Sequence, residues 1–88
     1  MSTYKLLTYP NCENCTKVKE YLGKTSISFQ EIPAYTRDGK IEVGKIQSAG
    51  MALRRDAHGI IMPILMRMND SKIEAIAQGP DDVETLFT

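Results

Sequence analysis

Two cysteines separated by two residues, in Cys12-Glu13-Asn14-Cys15, carry the most specific chemical meaning in this 88-residue chain. They follow the turn pair Pro10-Asn11 and open a run with helical spacing, so Cys12 falls at a helix N-terminus. Unpaired backbone N–H groups and the positive end of the helix dipole stabilise a thiolate there, bringing such a thiol below its ordinary pKa of about 8.5. Cys12 is therefore the candidate nucleophile. Cys15, one turn on and facing the apolar side, can reach the Cys12 sulfur but is poorly placed to attack an outside disulfide, which makes it the candidate resolving thiol. A loop closed across two residues gives little entropic stabilisation, so the pair reads as chemical, not structural. Glu13 suits the helix dipole yet sets a negative charge beside that thiolate, which points to a reducing couple.

The elements that must hold this pair follow from periodicity. Residues 4–9 (YKLLTY), with Leu6 and Leu7 adjacent, read as a buried strand. Over residues 12–22, Cys15, Val18, Tyr21 and Leu22 share one helical face while Lys17, Lys19 and Glu20 take the other, and Gly23 is expected just past the end. Residues 27–32 (ISFQEI) alternate and stop at Pro33, giving a second strand parallel to the first with a right-handed crossover. Between residues 38 and 58, Val43, Ile46, Gly50, Leu53 and Ala57 recur at helical spacing. They predict a second helix that closes at His58-Gly59 and is weakened by Gly44 and Gly50, about 1 kcal/mol each relative to Ala. Residues 60–68 form a third strand entered through Pro63, and Asn69-Asp70-Ser71 turns it back into residues 72–77 as an antiparallel hairpin. Gln78-Gly79-Pro80 breaks that strand, and residues 81–84 have the form of a capping box opening a short final helix. The expected fold class is α/β, a four-stranded mixed sheet flanked by helices in the order β-α-β-α-β-β-α, as a single domain over residues 1–88.

Hydrophobic residues make up 42% and charged residues 25% of the chain, as expected of a folded protein. Eleven Lys and Arg balance eleven Asp and Glu, which removes the footprint of a nucleic-acid or membrane-surface binder. The N-terminus has no signal-like apolar region, and the longest apolar run, around residues 60–66, falls well short of the roughly 20 residues a membrane helix needs. A soluble, cytoplasmic monomer is expected.

Three positions together resemble the glutaredoxins of the thioredoxin superfamily, over nearly the whole chain. Pro10-Asn11-Cys12-x-x-Cys15 is similar to the family's active-site turn, Met62-Pro63 to its cis-proline dipeptide, and Gln78-Gly79-Pro80-Asp81-Asp82 to its glycine-then-acidic turn. The resemblance implies a thioredoxin-like three-layer fold and a thiol–disulfide oxidoreductase with catalytic Cys12 and Cys15. It also implies substrate binding by Met62, Pro63, Gly79, Asp81 and Asp82. In such a site Met62 offers its backbone N–H and C=O to an extended substrate, and the acidic turn takes the γ-glutamyl end of glutathione. No tightly bound cofactor and no metal is implied. Glutathione is the implied co-substrate, disulfide-containing proteins are the implied substrates, and glutathione or a flavoprotein disulfide reductase is the reductant. The chain departs from the family at Tyr9, where members carry lysine, at Met62 for threonine or valine, and at Glu13-Asn14 for a proline–aromatic pair. Arg37 is the candidate for the missing cation.

Other readings of the same residues stand beside this one. A CxxC can be half a zinc site, or can contribute to a metal or iron–sulfur centre shared between two chains, although one histidine and no second CxxC leave the ligand set incomplete. The fold can also serve as a redox-inactive binding domain. Pro63 can be an ordinary edge-strand proline, and Asp81-Asp82 a helix start needing no ligand.

Overall fold

Leu6 and Leu7 are neighbours in one strand and both fully buried. Successive strand side chains point to opposite faces, so both faces of this sheet must be covered. The computed structural model describes residues 2–57 and 59–87. Its elements are β1 (Ser2–Thr8), α1 (Glu13–Lys24), β2 (Gln30–Pro33), α2 (Arg37–Ser48), β3 (Arg55–Asp56), β4 (Gly59–Ile60), β5 (Ile64–Asn69), β6 (Lys72–Gln78) and α3 (Gly79–Leu86). The main sheet runs β2-β1-β5-β6, with β1 and β2 parallel and the other pairs antiparallel. Leu6 faces Leu65 and Leu7 faces Ile64 across the β1–β5 ladder.

On one face Leu6, Leu65 and Ala77 pack with Val18 and Leu22 of α1 and Val83 of α3. On the other, Leu7, Ile32, Ile64 and Met66 pack with Ile46 of α2. Each fully buried Leu or Ile contributes about 1.5–3 kcal/mol of transfer free energy. The α/β class, the mixed four-stranded sheet and the three flanking helices agree with the sequence pattern. No helix of the described residues is long and apolar enough to cross a membrane.

Several local expectations fail. Gly23 lies inside α1; the helix is closed instead by Thr25, whose hydroxyl donates to Tyr21 O at 2.9 Å, and Ser26 takes the left-handed turn with φ 57°. Ile27 N–H then bonds Leu22 O at 3.0 Å, tying the chain to the helix end, so β2 begins only at Gln30. Ile27 and Phe29 pack on the α1 face without joining the ladder. The second helix stops at Ser48, and Gly50 turns left-handed at φ 78°. Leu53 therefore packs from outside the helix, its matching period coincidental. His58 lies outside the described residues. The expected third strand starts at Ile64, because Ile60 belongs instead to β4, which pairs antiparallel with β3. The last helix opens at Gly79, two residues ahead of the expected Asp81.

Two residues of α2 fix its seat on the sheet. A Cβ on Gly39 would lie 2.2 Å from Pro33 O, so only glycine lets this first turn meet the end of β2. Glu42 is buried, and its Oε1 accepts from Lys5 Nζ of β1 at 3.2 Å.

Candidate active site

The C-terminal end of β1 delivers the chain to the cysteines through one left-handed residue. Asn11 has φ 56°, a conformation asparagine adopts more readily than most residues. Cys12 is then the N-cap of α1, with extended backbone at φ −107° and ψ 107°. Its Sγ accepts the Cys15 N–H at 3.1 Å, which aims one of the helix's unpaired donors at the sulfur. Cys12 and Cys15 are joined as a disulfide with Cα atoms 5.2 Å apart. Cys12 is partly exposed whereas Cys15 is 3% exposed, so an outside reactant reaches Cys12 first.

Cys12 stands where two clefts meet. The larger, of about 720 Å³, is walled by Tyr9, Ala34, Val43, Ile60 and Met62 and carries Lys40, Arg55 and Asp56. The smaller, of about 320 Å³, contains both cysteines with Thr8, Lys19, Glu31 and Tyr35. In it the Thr8 hydroxyl donates to Glu31 Oε2 at 2.9 Å and Lys19 Nζ approaches the same oxygen at 3.5 Å. Tyr9 and Tyr35 meet edge-on with ring centroids 6.0 Å apart, and each is about half exposed.

The Met62–Pro63 bond is cis. Pro63 is fully buried and its carbonyl accepts the Gly79 N–H at 3.0 Å, which links the proline turn to the start of α3. Among the described residues no hydrogen bond occupies the Met62 N–H or C=O, and its side chain lines the larger cleft with Cys12. The structure thus brings Cys12, Cys15, Met62 and Pro63 to one end of the sheet. Gly79, at φ 86°, adjoins them through Pro63.

The two aspartates diverge. Asp82 Oδ2 accepts the Gln78 N–H at 3.2 Å and pairs with Arg54 Nη2, whereas Asp81 is exposed and borders a separate cleft with Asn14 and Lys17 of α1. Arg37 borders neither cleft at Cys12; the cations there are Lys40 and Lys19 with Arg55. Among the described residues no group of three or more His, Cys, Asp or Glu side chains is gathered as a metal site would need.

Gln78 is the residue that sequence reasoning overlooked. It is 5% exposed; its Oε1 accepts Arg54 N–H at 2.8 Å, and its Nε2 donates to Arg54 O and Ile61 O, each at 3.1 Å. It thereby fastens both ends of the β3–β4 hairpin segment just ahead of Met62. The polar residue at the start of the turn was a signal, but its targets are backbone atoms, which no side-chain motif advertises. Tyr35, Lys40 and Arg55 reach the site only through the path of β2, α2 and the unforeseen hairpin. No protein-family model matches this chain, and no curated protein compared with it matches either.

Proposed function

We propose that this protein is a thiol–disulfide oxidoreductase with a thioredoxin-like fold of glutaredoxin type, acting in the reducing cytoplasm as a monomer. One observation carries the reading: Cys12 Sγ, at the N-cap of α1, accepts a helix N–H while bonded to Cys15, in a cleft shared with Met62 of a cis Met62–Pro63 pair. In the reduced protein the Cys12 thiolate attacks one sulfur of a substrate disulfide. That S–S bond breaks, the leaving thiolate takes a proton, and a mixed disulfide forms at Cys12. Cys15 then gives up its proton and its thiolate attacks Cys12 Sγ, releasing the second substrate thiol. The substrate disulfide gains two electrons and two protons, and Cys12–Cys15 is left oxidised.

Two equivalents of glutathione, or a flavoprotein disulfide reductase, return the pair to the dithiol. The open Met62 N–H and C=O suit an extended substrate strand laid beside Pro63. Of the acidic turn, Asp81 is exposed and, among the described residues, its carboxylate is not already held as that of Asp82 is, so it is the one to meet a glutathione ammonium.

Equilibrating the metal-free protein in glutathione redox buffers, with thiol trapping and mass measurement, tests the reading. A reversible two-electron transition with a glutathione adduct on Cys12 is expected. Failure of the pair to interchange between dithiol and disulfide across that range overturns it in favour of a shared metal centre or a redox-inactive binding domain.

A further inference from the structure

Two of the exposed large apolar side chains, Tyr9 at 50% and Tyr35 at 55%, line the smaller cleft together with the reactive cysteine. Lone exposed aromatics are ordinary, but an edge-on pair bordering the cleft of a reactive cysteine is a surface made to be covered. In the adjoining cleft the apolar wall of Val43, Ile60 and Met62 is rimmed by Lys40 and Arg55. Neither cation makes an ion pair among the described residues. Asp56 is the acidic residue of that lining, so the side chains of the rim sum to one positive charge.

From these two features, and resting on the oxidoreductase reading, we infer that the substrate is a polypeptide disulfide with an apolar or aromatic residue on one side of its cysteine and an acidic residue on the other. The tyrosine pair receives the first and Lys40 with Arg55 the second. Tyr35 borders only the smaller cleft and the two cations only the larger, while Cys12 borders both. A ligand that meets both features must therefore continue past its reacting cysteine in two directions, as a protein chain does. Glutathione also extends both ways, but it has no apolar side chain to cover two rings. Of the acidic turn, Asp82 is moreover already engaged by Arg54 and by Gln78 N–H, and Asp81 borders a cleft that Cys12 does not. Opposite charge at a rim acts mainly on encounter rate, so this selectivity weakens as salt rises.

The test uses the reduced full-length protein and four probes: disulfide-linked dimers of a peptide carrying Phe and Asp on either side of its cysteine, one for each order; the same peptide with Ser at both places; and 2-hydroxyethyl disulfide. Second-order rate constants are followed by release of peptide thiol. One Phe/Asp order should react about tenfold faster than the Ser peptide at low salt. The Lys40→Glu/Arg55→Glu double variant should bring that ratio to near one, and Tyr35→Ser should lower it severalfold. Lys72→Glu on the distant β5–β6 hairpin matches the charge change per site and should leave it alone. Equal rates for all peptides in the wild-type protein overturn the inference, as does a ratio that survives the double variant. Those outcomes are distinct from failure of the oxidoreductase reading, in which 2-hydroxyethyl disulfide is not reduced either.

Discussion

The turns at 10–12 and at 78–80 both lead from a strand into a helix, and both drew notice for their residue types, yet they are built to opposite ends. At Pro10-Asn11-Cys12 the side chain at the N-cap is a sulfur that accepts a single helix N–H, flanked by two half-exposed tyrosines and two clefts. At Gln78-Gly79-Pro80 polar groups are turned on one another: Gln78 binds the backbone at 54 and 61, Gly79 N–H binds Pro63 O, and Asp82 binds Gln78 N–H and Arg54. The first turn leaves its chemistry accessible, and the second consumes its own in holding the cis-proline segment beside the first. A polar, turn-forming stretch is thus a candidate site only to the extent that its groups remain unpaired after folding.

Substitution at the open turn should have the largest effect, and on rate. Cys12→Ser should lower disulfide reduction on the order of 10³-fold or more, with no internal disulfide by mass. Cys15→Ser should instead trap the mixed disulfide at Cys12. Retained reduction in Cys12→Ser would erase the contrast between the two turns.

The closed turn should respond in stability. Gln78→Leu removes the partners of Arg54 N–H, Arg54 O and Ile61 O together. Each orphaned group costs about 1–3 kcal/mol, and their partial exposure places the total near the lower end, about 3 kcal/mol, read as a fall in the urea midpoint at constant m-value. A loss under 0.5 kcal/mol would mean that water substitutes freely for the amide and that the net is not structural.

How far the sequence reached follows the same divide. The cysteine pair and the buried strand at Leu6 and Leu7 were legible because each depends on neighbours within a few residues, whereas the cis-proline dipeptide was legible only through the family pattern it shares with the distant cysteine pair. The segment from 49 to 60 was not. Leu53 and Ala57 continue the period of α2, but Gly50 takes a left-handed φ and the chain turns into the β3–β4 hairpin, whose partners lie in residue 78 and in its own backbone. Glu42 was missed for a related reason: a carboxylate enters the α2 interface because Lys5, thirty-seven residues away, reaches it from β1.

A smaller effect is expected at Gly79. Its φ of 86° disfavours any side chain, while a Cβ there would meet only Ile61 Cγ2, at 4.0 Å. Gly79→Ala therefore isolates the conformational penalty, about 1–2 kcal/mol by thermal or urea unfolding. A cost above 4 kcal/mol would point to steric conflict that the open space does not predict.

The smallest effect should be at Asp82, and it bears most directly on which turn binds ligand. Its ion pair with Arg54 is solvent-exposed, the side chains being 40% and 58% accessible. Such pairs contribute about 0.2–1 kcal/mol and fade with salt. Asparagine keeps an oxygen for the Gln78 N–H, so Asp82→Asn should lose less than 1 kcal/mol, and that loss should shrink in 0.5 M salt. Because the carboxylate is already held by Arg54, the rate of glutathione exchange at Cys12 should change less than twofold. A tenfold slowing of that exchange at unchanged stability would make the closed turn a ligand clamp after all, and the opposition between the two turns would then be one of degree.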